Sequence, residues 1–132
     1  MKTIRNILIV LCMMLISCNN PETLIRTGIA VANQQCPMDL GEGLSITKIE
    51  FTGLYVTYFV KGDYRYYFTQ DKDVVESAKS VLITNLRQQE LVNKDMKTLL
   101  ENLRKAKAGI IYHYYSDVDS SVMDVVVEHN EL

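Results

Sequence analysis

The chain has 132 residues, with 14 basic and 16 acidic side chains, a formal net charge of −2, eight tyrosines and no tryptophan. That length suits one domain with a single modest core rather than two. The chain is mildly acidic, without the strongly basic balance that binding to a nucleic-acid backbone favours.

Lys2 and Arg5 form a short basic head. An uncharged apolar run over residues 7–16 follows, then Ser17, Cys18 and the polar Asn-Asn-Pro-Glu-Thr. A basic head, an apolar stretch of about 7–15 residues and a small residue at its end make a secretory signal peptide. The run is too short for a transmembrane helix, which needs about 20 apolar residues. Leu15-Ile16-Ser17-Cys18 resembles a bacterial lipobox, in which a peptidase cuts before a lipid-modified cysteine. The resemblance implies cleavage between Ser17 and Cys18, lipid (palmitate) on Cys18, and attachment to a membrane of the cell envelope. Asn19 is not the acidic residue linked to inner-membrane retention, which points to the outer membrane with the domain facing the periplasm. The expected division is a signal over 1–17, a lipidated tether over 18–23 and one domain over 24–132.

Removing the signal takes Cys12 with it and commits Cys18, so Cys36 becomes a solitary thiol that cannot close an internal disulfide. Residues 18–132 keep 12 basic and 16 acidic side chains. Cys36 has no histidine near it in sequence, and Cys-Pro-Met follows a helical pattern. It reads as a small apolar residue at a helix-to-strand turn rather than as a nucleophile.

Apolar residues at Leu24, Ile25, Gly28, Ile29 and Ala32 recur at helical spacing, and Pro37 with Gly41-Glu42-Gly43 closes that element. Residues 44–51 and 54–60 flank Thr52-Gly53, and the second run alternates with a period of two, so the pair reads as a hairpin. Lys61-Gly62-Asp63 is a turn signal, after which 64–68 could add a short strand. Residues 71–89 place Val74, Val75, Ala78, Val81, Leu82 and Leu86 on one helical face. Asn93 is a suitable N-cap for a second helix with Met96, Leu99, Leu100 and Leu103 as its stripe, and Gly109 lies just past its basic end. Strand patterns over 110–115 and 122–128 finish the chain. The order is α-β-β-(β)-α-α-β-β. The expected fold is an α+β two-layer sandwich, with an antiparallel sheet of four to five strands and about three helices on one face.

The marks Asn33, Pro37, Met38, Tyr55, Tyr58, Met96, Leu99, Leu100, Tyr112 and Tyr114 are similar to those of a family of small, uncharacterised bacterial envelope proteins. That family shows an Asn a few residues before Pro-Met, a tyrosine-rich strand, and a Met-x-x-Leu-Leu helix running into a Tyr-x-Tyr strand. The chain departs from it by a longer spacing between Leu100 and the Tyr-x-Tyr strand. The family carries no established catalytic residues, so the resemblance implies none here.

Asp117, Asp119, Ser121 and Glu128 occupy positions 1, 3, 5 and 12 of a calcium loop, but Val122 stands where that loop needs Gly, and strands flank it. A solvated turn explains the same residues. His113 could serve as a base or metal ligand, yet only His129 is available to join it. No catalytic constellation, metal set or cofactor motif emerges. The tyrosines remain. Tyr64, Tyr66, Tyr112 and Tyr114 are the candidate binding residues, as an aromatic face for a protein or glycan partner. Cross-strand packing of a tyrosine-rich sheet is the competing reading.

The sequence therefore reads as a lipid-anchored, non-enzymatic binding or assembly module. An inhibitor or immunity-like lipoprotein that blocks a secreted enzyme or toxin is the alternative, and an enzyme built on Cys36 or His113 ranks last. Replacing Cys18 with Ala is expected to abolish palmitate incorporation in cells; continued labelling would refute the anchor.

Overall fold

The computed structural model describes residues 20–132. The signal-peptide and lipobox readings, with Ser17 and Cys18, lie outside the described residues. The element order is α1 (Pro21–Asn33), β1 (Met38–Gly41), β2 (Leu44–Thr52), β3 (Tyr55–Gly62), α2 (Lys72–Val92), α3 (Lys94–Ala106), β4 (Gly109–Ser116), β5 (Val122–Val127) and a 3₁₀ turn at His129–Glu131. The α+β sandwich and its element order are as the sequence indicates.

The helix starts are set by short polar side chains. Asn20 accepts from the Glu22 N–H with Pro21 in the first turn, so residues 21–23 of the expected tether belong to α1. Asp71 accepts from the N–H groups of Asp73 and Val74. Asn93 closes α2 and caps α3, accepting from Asp95 and Met96. At the far end of α3 the left-handed position falls on Lys107 (φ 54°), and the Ala108 N–H returns to the Leu103 carbonyl. Gly109 instead opens β4, where a side chain would strike the Val127 carbonyl and the Tyr55 ring.

The five strands lie in the order β1-β2-β3-β4-β5. All neighbours are antiparallel except the parallel central pair β3–β4. The exception follows from the α2–α3 crossover, which carries the chain back to the end where β3 began. The extra strand is β1, ahead of the hairpin rather than after it. Gly41, Glu42 and Gly43, expected to end a helix, all take positive φ (82°, 55° and 81°) and turn β1 into β2. Residues 64–68 form no strand. Asp63 caps a turn by accepting from the Arg65 N–H and guanidinium, and the chain then crosses the end of the sheet until the Phe68 N–H reaches Ser121 Oγ.

Period-two alternation sorts the strand residues. Ile49, Val56, Val60, Ile110, Met123, Val125 and Val127 are buried toward the helices. One cluster joins Ile25, Leu86, Leu100, Leu103 and Ala108 to Ile49, Val56 and Ile110. A second packs Val75, Ala78 and Leu82 of α2 over Phe68, Met123 and Val125. Arg104 forks onto both oxygens of Glu90 (2.7 and 3.0 Å) and donates to the Leu132 carbonyl, tying α2, α3 and the C-terminus together. The Arg104 hydrogen bond holds the Glu90 carboxyl below its usual range. No helix among the described residues is long and apolar enough to cross a membrane.

The free side of β2 is closed by α1. Asn33 behaves as a strand residue turned sideways: the Ile49 N–H donates to its Oδ1 (2.8 Å), and its Nδ2 donates to the Ile49 carbonyl (2.6 Å). Arg26 adds a bond to the Phe51 carbonyl and stacks over the Phe51 ring. Asn33→Ala is expected to destabilise the domain by about 2 kcal/mol, because two backbone groups lose their partners. Urea denaturation measures it, and Asn33→Asp, which keeps the acceptor but sets a carboxylate against the Ile49 carbonyl, should do no better.

Candidate functional site

The tyrosine-rich sheet has two faces, and the strand parity decides which tyrosines each receives. In β4 the buried Ile110 fixes Tyr112 and Tyr114 on the helix side. There Tyr112 stacks on Tyr58 of β3, with ring centroids 5.4 Å apart. Tyr114 meets Phe68 at 5.5 Å, and Phe68 in turn stacks on Tyr66 at 5.6 Å. Burial pushes the Tyr58 phenol up to about 12, and raises those of Tyr112 and Tyr114 as well. These rings belong to an interior aromatic row.

The four candidate binding tyrosines therefore fall in different places. Tyr112 and Tyr114 lie under the helical layer, not on the open face. Tyr66 packs on Phe68 and donates to the Glu42 carbonyl at 2.8 Å. Only Tyr64 is presented to solvent, at 78 % exposure, with Tyr67 beside it at 80 %. Tyr55, which shares the open face, lays its ring over Gly109 so that its hydroxyl donates to both Glu128 oxygens (2.9 and 2.8 Å). That hydrogen bond raises the Tyr55 pKa.

The face without helices carries a different aromatic stripe. Phe59 of β3 meets His113 of β4 edge-on at 5.4 Å, and His113 stacks on Tyr115 at 5.9 Å. Lys48 sits 4.3 Å above the Phe59 ring while pairing with Glu50 at 3.0 Å. The Tyr115 hydroxyl and Thr47 Oγ1 are 2.8 Å apart. His113 Nδ1 lies 2.6 Å from Asp124 Oδ1 of β5. Each of Phe59, His113 and Tyr115 is half-buried, so the stripe is braced by its neighbours on the sheet. Its signal in the sequence is parity: Phe59 alternates with buried Val56 and Val60, and His113 with buried Ile110. Counting tyrosines draws attention to Tyr112 and Tyr114 instead.

The chemical candidates are placed as structural groups. The Cys36 thiol contacts the Ala32 carbonyl at 3.6 Å, and burial pushes its pKa up, the opposite of an activated nucleophile. His113 is held by Asp124. Asp119 accepts from the Ser121 N–H at 2.7 Å, whereas Glu128, beyond the far end of β5, is bonded to Tyr55. The four residues of the calcium-loop pattern therefore do not converge. Among the described residues no group of three or more His, Cys, Asp or Glu could hold a metal ion.

No protein-family model matches the chain, and no curated protein matches its sequence. Its fold, however, is similar to that of solved structures. The type II secretion system pilotin AspS from Vibrio cholerae shares 17 % identity at a TM-score of 0.55, covering 90 % of this chain and 98 % of that one. EpsS, the pilotin of the Vibrio vulnificus type 2 secretion system, shares 11 % at a TM-score of 0.55, covering 86 % and 92 %. A Pseudomonas aeruginosa protein described as secreted shares 10 % at a TM-score of 0.52, covering 84 % and 91 %. At these identities the likeness is one of fold.

Truncating Tyr112 to Ala is expected to cost about 3–4 kcal/mol, as for a large aromatic lost from a packed layer. Tyr64→Ala should change stability by less than about 0.5 kcal/mol. Thermal or urea unfolding of the two variants checks the division between interior and surface tyrosines.

Proposed function

We propose that this chain is a lipid-anchored cell-envelope protein, held by lipid on Cys18 in the outer membrane and facing the periplasm. It acts as a non-enzymatic assembly module that binds a protein partner. The observation that carries this reading is the helix-free sheet face, with its Phe59–His113–Tyr115 stripe flanked by Lys48 and Asp124. Aromatic rings locked by their neighbours offer contact area with little entropy left to lose, which suits recognition of a protein surface. The two pilotins among the fold neighbours are components of secretion systems, which favours an assembly task in the envelope. The raised Cys36 pKa and the scattering of the calcium-pattern residues favour the non-enzymatic reading.

The test is site-specific photo-crosslinking in the lipidated protein. A benzophenone side chain replacing Phe59 is expected to give a discrete adduct with one envelope protein. The same group at Val81, exposed on the outer side of α2, should not. Thr57→Arg, which sets a long cation beside the stripe, should suppress the adduct. Equal adducts from positions 59 and 81, or none from 59, would refute the proposed face.

A further inference from the structure

The molecule has two chemically opposite ends. At one end lie the 116–121 turn and the crossing segment after β3, joined through Phe68 and Ser121. That end carries Glu42, Asp63, Asp71, Asp73, Asp117 and Asp119 against Lys61, Arg65 and Lys72, with Arg65 paired to Asp63. At the other end lie the β2–β3 turn and the return into β4, where the Gly109 N–H bonds the Leu54 carbonyl. α1 begins at this second end, because Arg26 reaches the Phe51 carbonyl while Asn33, farther along the helix, reaches Ile49. α2 runs toward the same end: its early residues pack on Phe68 and Met123, and Leu86 packs with Ile25 and Ala108.

Five residues beyond Leu86, α2 stops at a corner that leaves Leu91 86 % and Val92 81 % exposed. Nothing among the described residues covers them. Arg87, Lys94 and Lys97 surround them, all exposed, and none is in an ion pair among the described residues. Arg87 and Lys97 both lie near enough to Glu90 to act on its carboxylate, which gathers these cations around the corner. Residues 87–107 carry six basic and three acidic side chains; the remainder of 18–132 carries six basic and 13 acidic. An acidic domain thus concentrates its positive charge at one end.

That end is also where the lipid would be. Only residues 19 and 20 separate Cys18 from the first residue of α1, a span of about 10 Å even when extended. A tether that short holds the start of α1 at the bilayer surface.

We propose that the α2–α3 corner is a second membrane contact, in which Leu91 and Val92 enter the headgroup layer of an anionic phospholipid surface while Arg87, Lys94 and Lys97 face the lipid phosphates. The contact rests on the anchor at Cys18 and adds orientation to it. Paired apolar and basic residues bind such interfaces through buried apolar area plus attraction to anionic lipid. The acidic end is then turned away from the surface, and the Phe59–His113–Tyr115 face stands clear of the bilayer.

The chain contains no Trp, so Leu91→Trp introduces a single fluorophore. The lipidated Leu91→Trp protein is reconstituted on phosphatidylcholine vesicles with and without phosphatidylglycerol, with brominated acyl chains as quencher. Quenching on the phosphatidylglycerol vesicles is expected to exceed that on the neutral ones by about twofold or more. Reversing Arg87, Lys94 and Lys97 to Glu in the same protein should remove the difference. A Trp replacing Val118, at the acidic end, should stay unquenched in both. Flotation with the vesicles but an unquenched indole at 91, or equal quenching with and without phosphatidylglycerol, overturns the contact and leaves the anchor standing. Failure to float overturns the anchor and the contact with it.

Discussion

The parallel pairing of β3 and β4 is the constraint from which the rest of the architecture follows. Two parallel neighbours cannot be joined by a tight turn, so the chain must leave at Gly62 and return at Gly109. It makes the return through α2 and α3, and both helices bring an apolar stripe that needs a cover. The stripe finds one on the side of the sheet where Val56, Val60, Ile110 and Val125 point, and α1 completes that layer over β2. All helical mass then sits on one face. The other face is left to residues of opposite parity, among them Phe59, His113 and Tyr115.

Much of this was legible in the residues. The stripe Met96, Leu99, Leu100 and Leu103, the caps Asp71 and Asn93, and the alternation in β3 to β5 each carry a local signal strong enough to survive folding. The misplaced features depended on distant partners. Met38–Gly41 is only four residues long and pairs through three consecutive positive-φ residues, a conformation that Glu42 gives no reason to expect. The 64–68 segment has strand-like composition, but the Asp63 cap and the bond to Ser121 take it across the end of the sheet. Parity was readable for Tyr112 and Tyr114, yet which parity faces the helices depends on Ile110 meeting Leu103, a contact no spacing rule supplies. The same contact reveals Phe59, His113 and Tyr115 as the open stripe.

Side chains rather than further strands guard the part of β2 that β1 leaves unpaired and the outer edge of β5. Asn33 occupies the exposed backbone of Ile49 on one side. On the other, the Asp124 N–H meets the Gln70 side chain at 3.4 Å, and the Glu128 N–H meets the Glu131 carboxylate at 3.1 Å. Lys79 holds that carboxylate in place at 2.9 Å and lowers its pKa. Edges blocked in this way resist pairing with a stray strand. The open face of the sheet, its loops and the helix corner display side chains rather than bare backbone.

Asn93 alone separates α2 from α3, serving as the last cap of one helix and the first cap of the next. The junction has no slack. Inserting a single residue inside α3, between Lys97 and Leu100, would turn the helix beyond it by about 100°, setting Leu100 and Leu103 out of line with Met96. Lengthening α3 by one residue is therefore far more disruptive than lengthening the 116–121 turn, where extra residues would enlarge a solvated loop. The angle of that corner is a property of chain length as much as of composition, and across related sequences this joint should keep its length even where its residues change.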